Sequence, residues 1–184
     1  MFNGNDPINF TELGNKKCAV FLNISDTDRT LDKLVNIFYT QLFQCLCKTA
    51  DNSAEGRLKV PVRVFLDDFA TNVYIPDFDK LISVIRSREI SVSVILQSIT
   101  QLEGLYSKAQ ALTIINNCDH VVYLGGSDLQ TTEYIASRMC KSMENVLCLP
   151  SDQIMLLTRG MKGEQLPRVK PYSCFNKEVE EETA

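Results

Sequence analysis

Two adjacent carboxylates, Asp67 and Asp68, follow directly on the apolar run Val62-Arg63-Val64-Phe65-Leu66. A strand that runs into two acids has the pattern of a Walker B motif. In that chemistry the first acid orients a water on the magnesium bound to nucleotide phosphates, and the second polarises the water that attacks. Two acids at a strand end also occur in phosphoacceptor domains, and an acid after a strand often only caps the next element. Further candidates follow the same logic. Gln97 comes after the apolar run Ile90 to Leu96, where an uncharged amide could sense a γ-phosphate or orient a water, or simply begin a helix. Arg86 and Arg88 close the helical stretch before that run. Cations are favoured at a helix C-terminus by roughly 0.3–1 kcal/mol each. The functional alternative is an arginine finger that reaches the phosphates held by a neighbouring subunit. Asp26, after the run Cys18 to Ile24, is a further acid at a strand end.

The elements that would position these groups can be read from periodicity. Cys18 to Ile24, Val62 to Leu66, Ile90 to Leu96 and Asp119 to Leu124 are short apolar runs of the kind buried on both faces of a parallel sheet. Leu31, Leu34, Val35, Phe38, Leu42, Cys45 and Leu46 recur at three- and four-residue spacing and predict a long helix ending near Thr49. Asp26, Thr27 and Asp28 offer N-caps for it. Pro76 and Asp77 predict the start of another helix, with Phe78, Leu81, Ile82 and Ile85 on one face. A polar helical stretch from Ser98 is expected to break at Gly104 and resume after Ser107. Ser127 is expected to cap a helix carrying Leu129, Thr132, Ile135 and Met139. Ile154 to Thr158 and Arg168 to Tyr172 predict a hairpin around a Gly-containing loop. Strands alternating with helices give an α/β fold, three-layered, with a mostly parallel sheet flanked by helices and a C-terminal β-hairpin. Ligands of such sheets bind outside the carboxyl ends of the strands. That places Asp26, Asp67, Asp68, Gln97 and the Gly125-Gly126 pair on one edge.

Composition narrows the field. The chain has 184 residues, 45% of them hydrophobic and 23% charged, with a net charge of -4. It is long enough for a core of its own, and its charge gives no support for strong nucleic-acid binding. Seven cysteines lack a Cys-x-x-Cys pair, and His120 is the single histidine, so no zinc site is expected. The thiols read as buried groups in a reducing compartment. No apolar run approaches the roughly 20 residues that cross a bilayer, and the segment is expected to be soluble. No Gly-x-Gly-x-x-Gly follows a strand, which excludes a dinucleotide-binding reading. Nor is there a Gly-x-x-x-x-Gly-Lys-Ser/Thr, since no lysine follows Gly125-Gly126. The loop that cradles phosphates is not encoded in these residues.

Several motifs in order resemble the TraG-type coupling proteins of conjugation and type IV secretion. They are Asn23-Ile24-Ser25-Asp26-Thr27-Asp28-Arg29, Phe65-Leu66-Asp67-Asp68-Phe69-Ala70, Ile85-Arg86-Ser87-Arg88-Glu89-Ile90-Ser91, Leu96-Gln97-Ser98-Ile99-Thr100-Gln101-Leu102, Asn116-Asn117-Cys118-Asp119 and Tyr123-Leu124-Gly125-Gly126. The resemblance covers about residues 9 to 172 and is closest to members on mobile elements of Gram-positive bacteria. It implies the C-terminal half of a RecA-like P-loop motor over residues 14–174, with a linker at 1–13 and an acidic, disordered tail at 175–184. It further implies ATP and magnesium as cofactors of the complete protein. Asp67 would hold the metal through water and contact the nucleotide together with Gln97. Asp68 would be the general base, and Arg86 the arginine finger in preference to Arg88. Many relatives carry glutamate where Asp68 stands, so this carboxylate sits one methylene further back.

The same resemblance implies partners. They are a relaxase–DNA substrate, the secretion channel proteins, and further copies in a hexamer, with a dimer for the segment alone. It implies a place on the cytoplasmic side of the bacterial membrane, through an N-terminal anchor that lies upstream in the family, as do the phosphate-binding strand and a helical insert. On this reading the chain is a segment of a longer protein or the product of a split gene, inactive by itself and binding single-stranded DNA weakly or not at all. Two other readings stand beside it. One is a non-catalytic module that docks relaxase or channel proteins. The other is a receiver-like phosphoacceptor domain built on Asp26, Asp67 and Asp68, which lacks a lysine at the strand ends after Leu96 and Leu124.

Overall fold

The computed structural model describes residues 9–24, 29–72 and 74–169. The chain divides into two compact units, residues 1–117 and 118–184. The first contains α1 (Phe10–Leu13), a 3-10 turn at Arg29–Leu31, α2 (Asp32–Asp51), β1 (Val62–Leu66), α3 (Phe69–Asn72) and α4 (Phe78–Val84). After a second 3-10 turn, Arg86–Arg88, come β2 (Ile90–Val94), α5 (Ile99–Leu105) and α6 (Lys108–Asn117). β1 and β2 pair in parallel, with Val62 opposite Ile90 and Leu66 opposite Val94. Both strands and their parallel relation agree with the sequence reading.

The core of this unit is aromatic. Phe78 is fully buried, with its ring centroid 5.0 Å from Phe69 and 6.3 Å from Phe43. Tyr106 stacks on Phe69 at 5.9 Å. The Tyr106 hydroxyl donates to the Ile75 carbonyl at 3.1 Å and accepts from the Ile75 N–H at 3.0 Å. One side chain thus satisfies both backbone groups of a residue that is 1% exposed. Burial pushes the phenol pKa up, well beyond its ordinary value. The hydroxyl therefore stays protonated and keeps its donor.

Three expectations fail in this unit. Residues 18–24 form no strand, and Phe21 lies 92% exposed. An apolar run becomes a strand only against a hydrogen-bonding neighbour, and none pairs with it among the described residues. α2 forms, but its buried face is Val35, Tyr39, Leu42, Phe43, Leu46 and Ala50. Leu31 and Leu34, expected on that face, lie outward. Leu31 occupies the N-cap position with no side-chain cap, and the caps expected at Asp26 to Asp28 lie outside the described residues. Finally, the helical stretch after Ser98 runs through Gly104 and breaks at Tyr106, which is extended. The local reason is a capping box: Ser107 Oγ accepts the Gln110 N–H, and Gln110 Oε1 accepts the Ser107 N–H.

The second unit contains β3 (His120–Tyr123), α7 (Leu129–Met139), α8 (Met143–Leu147), β4 (Gln153–Thr158) and β5 (Glu164–Pro167). Its sheet has the order β3-β4-β5 and is antiparallel throughout. β3, expected as a fourth parallel strand, takes β4 as its antiparallel partner, with Tyr123 opposite Met155. The hairpin is present, with its second strand at Glu164–Pro167; Arg168 and Val169, expected in that strand, follow its end, and the rest of the expected strand, 170–172, lies outside the described residues. Asp128, not Ser127, caps α7: its carboxylate accepts from the Thr131 N–H at 2.9 Å. Leu129 lies on the exposed side, while Ile135, Met139, Tyr123, Val146, Met155 and Leu157 form the core. No described helix is long and apolar enough to cross a membrane.

The paired Ile75 groups give a direct test. Tyr106→Phe keeps the ring but leaves the buried Ile75 N–H unmatched, while the Ile75 carbonyl keeps the Phe78 N–H at 3.3 Å; the loss is expected to cost about 1–3 kcal/mol. Phe78→Ala, which opens a cavity, is expected to cost about 3–5 kcal/mol. Urea unfolding followed by circular dichroism measures both. A Tyr106→Phe chain as stable as the parent would show that the hydroxyl does not hold Ile75.

Candidate functional site

β1 ends at Leu66, which is 3% exposed, and the chain turns sharply into α3, whose first residue, Phe69, is 1% exposed. These two anchors leave Asp67 and Asp68 as the exposed tip between them. The turn is clamped from β2. The Ile95 N–H donates to the Leu66 carbonyl at 2.9 Å, and the Phe69 N–H donates to the Ile95 carbonyl at 3.1 Å. To close it, Asp68 adopts a left-handed conformation, with φ of 47°. Outside glycine this region costs roughly 1–2 kcal/mol, least for Asp and Asn. Asp67 helps to hold it, for its Oδ1 accepts the Asp68 N–H at 3.1 Å.

Because β1 and β2 are parallel and in register, the residues after β2 rise at the same edge. Gln97 Nε2 donates to Asp68 Oδ1 at 3.0 Å. The Gln97 amide oxygen in turn accepts from Gln101 Nε2 at 3.1 Å. Ser98 caps α5 by accepting the Gln101 N–H at 3.1 Å. The sequence reading placed Asp67, Asp68 and Gln97 on one edge, and the structure joins the last two directly. It did not single out Gln101. The available signal was Ser98-x-x-Gln101, a capping-box spacing that brings the glutamine back toward the helix start.

The arginines lie elsewhere. Arg86 and Arg88 precede β2, at its amino end, whereas the acids and Gln97 follow the carboxyl ends. Five strand residues at about 3.3 Å each separate the two levels by roughly 16 Å. Arg88 is held by its own chain: Nε donates to Asp51 Oδ1 at 2.8 Å and Nη1 to the Val84 carbonyl at 3.0 Å. The hydrogen bond that Arg88 donates to Asp51 raises the Arg88 pKa further. Arg86 is exposed on the same 3-10 turn. Asp26 lies outside the described residues. Gly125 and Gly126 fall in the second unit, where the Tyr123 hydroxyl donates to the Gly126 carbonyl at 3.2 Å.

The donor set suits one kind of metal. Among the described residues no three His, Cys, Asp or Glu side chains converge on a point. Magnesium does not need such a cage, since it keeps several waters and takes one or two carboxylates together with substrate phosphates. Asp67 and Asp68, both exposed at a strand end, fit that manner of holding.

Comparison with known proteins agrees with this architecture. Residues 61–146 match the family described as the TraM recognition site of TraD and TraG. No curated protein matches the chain. Among solved structures, the plasmid coupling protein TrwB in complex with a non-hydrolysable GTP analogue is 19% identical, with a TM-score of 0.61 over 76% of this chain and 37% of that one. TrwB with ADP and Mg2+ is 18% identical, with a TM-score of 0.59 over 76% and 38%. VirB4 of Thermoanaerobacter pseudethanolicus is 14% identical, with a TM-score of 0.51 over 80% and 40%. The chain thus spans well under half the length of the structures it resembles, and the likeness is one of fold, the RecA-like α/β fold. Taken with the family match over residues 61–146, it makes this chain similar to the C-terminal region of TraG-type coupling proteins.

Proposed function

We propose that this chain forms one wall of the ATP site of a coupling motor that drives relaxase-bound DNA into a type IV secretion channel. The observation that carries the reading is the hydrogen bond from Gln97 to Asp68 at the carboxyl edge of the parallel pair. It sets an amide and a carboxylate side by side where nucleotides bind in open α/β sheets. The nucleotide and Mg2+ in the TrwB structures support ATP and magnesium as the cofactors here.

Asp67 would orient a water of the metal shell. Asp68 Oδ1 is taken by the Gln97 amide, so Oδ2 is the oxygen that would meet the attacking water and accept its proton. Gln97 would keep the Asp68 carboxylate in one orientation. Bound magnesium would supply charge neutralisation on the phosphates. The loop that cradles those phosphates would come from a preceding segment. Arg86 would act on the site of a neighbouring copy, because both arginines sit at the wrong end of β2 for their own. Hexamer assembly, the relaxase and channel partners and a place at the cytoplasmic face of the membrane follow from the family resemblance. With a net charge of -4, this segment would add little DNA affinity of its own.

A docking role is the second reading, favoured by the family description, which names a TraM recognition site across residues 61–146. Exposed apolar side chains in that span, Phe65, Val84 and Ile95 in the first unit, suit a protein contact. Partner capture that is undiminished by Asp67→Ala, in a chain without nucleotide turnover, would select docking over catalysis.

Hydrolysis separates the readings. This chain alone is expected to turn over no ATP, whereas the chain extended upstream to include the phosphate-binding loop is expected to do so with magnesium and single-stranded DNA. Asp67→Ala should abolish that activity. Turnover by the short chain that depends on Asp67 would overturn the proposed division of the site. Asp68→Asn, which tolerates the left-handed turn, is expected to lower kcat by roughly 10²–10⁴. Undiminished kcat would remove Asp68 from the role of base. Arg86→Ala is expected to be inactive alone and to recover activity when mixed with Asp67→Ala subunits. Absence of such complementation would argue against action between copies.

A further inference from the structure

Two Ser-x-x-Gln sequences open consecutive helices in the first unit, and they are used differently. At α6 the box is closed. Ser107 Oγ accepts the Gln110 N–H at 3.3 Å, and Gln110 Oε1 accepts the Ser107 N–H at 3.2 Å. At α5 Ser98 Oγ still accepts the Gln101 N–H, at 3.1 Å. Here, however, the Gln101 amide nitrogen donates to Gln97 Oε1 at 3.1 Å, and Gln97 Nε2 donates to Asp68 Oδ1 at 3.0 Å. The result is a directed chain from Gln101 through Gln97 to Asp68.

Direction matters because a glutamine amide is nearly symmetric in shape. Its oxygen accepts and its nitrogen donates, and only the neighbours decide which end faces which way. Asp68, when ionised, offers acceptors only. Gln101 puts a donor at the opposite end. Both ends of Gln97 are therefore specified, although Gln97, Gln101 and Asp68 are all exposed and compete with water for these bonds. We infer that Gln101 is a positioning residue: it fixes the orientation of the Gln97 amide, so that Gln97 presents its nitrogen to Asp68. Its use in catalysis rests on the proposed nucleotide site. The orientation itself does not, being a property of this chain without ligand. Gln101 acts through Gln97 and is not assigned a contact with nucleotide.

Nuclear magnetic resonance of the 15N-labelled chain, without nucleotide, tests this. The readout is the displacement of the Gln97 side-chain amide resonances caused by Asp68→Asn. In the parent background the displacement is expected, because the charge beside the amide protons is removed. It should persist with Gln101→Lys, which keeps a donor facing Gln97 Oε1. It should be lost with Gln101→Glu, which offers an acceptor, draws the Gln97 nitrogen away from Asp68 and leaves the Ser98 cap in place. A displacement as large in Gln101→Glu as in the parent would overturn the proposal, as would its absence in the parent. Gln101→Met, uncharged and without a donor, serves if Gln101→Glu does not fold. There a reduced displacement supports the proposal and an unchanged one overturns it. Failure of the nucleotide reading would show in the hydrolysis assay alone, so the two failures are distinguishable.

Discussion

The parallel register of β1 on β2 is the constraint from which the site follows. Side chains that come after parallel strands emerge at one edge, whatever the intervening chain does. With Leu66 opposite Val94, the residues that continue each strand meet there. The ladder is prolonged by one bond on each side, Ile95 N–H to Leu66 and Phe69 N–H to Ile95. Those bonds close the turn that carries both acids. A slip of one residue would send the opposite set of side chains inward and separate Gln97 from Asp68. The geometry of an exposed site is thereby fixed by backbone bonds between mostly buried residues.

That arrangement tolerates local strain. Asp68 shares its left-handed conformation with Asp77, Glu89 and Cys140. Glu89 and Cys140 sit at helix C-ends, where such a residue is an ordinary way to stop. Asp68 is different, since it joins a strand to a helix and its side chain is bound in the next strand's wake by Gln97. An aspartate accepts the conformation more readily than a glutamate, whose longer side chain lacks the local hydrogen bonding that favours Asp and Asn there. The shorter acid at this position is thus compatible with the backbone, quite apart from the reach of its carboxylate.

Much of this edge was legible in the sequence, because it depends on local pattern. Val62 to Leu66 is apolar and ends in two acids, and Ile90 to Leu96 is rich in β-branched residues and preceded by a helix end; the first became a strand at the expected residues, and the second did so over Ile90–Val94, two residues short of the expected end. What local pattern lacks is the identity of a strand's partner. Cys18 to Ile24 has the same apolar character, yet forms no strand. Asp119 to Leu124 was recognisable as a strand, but its antiparallel pairing depends on β4, some thirty residues on. Helix faces fail for a related reason. Along α2 both Leu34 and Val35 satisfy the spacing, and only packing decides that Val35 turns inward. Gln101 escaped notice because its spacing from Ser98 already had a sufficient explanation as a cap, and the diversion of its amide to Gln97 is tertiary.

The arginines show how a fold limits what a single chain can do. A helix that returns antiparallel to a strand deposits its C-terminus at that strand's amino end, so any cation favoured there by the helix dipole is carried away from the carboxyl edge. Arg86 and Arg88 obey this. Arg88 is committed to Asp51 and the Val84 carbonyl, and so ties the 3-10 turn to the end of α2. A guanidinium so placed serves stability first. Under the proposed reading, a role for Arg86 in phosphate chemistry requires phosphates that approach from outside this chain, held at the edge of another copy. The length of β2 thus turns the question of which arginine acts into a question of assembly: an isolated subunit, however well folded, would keep both arginines away from its own site.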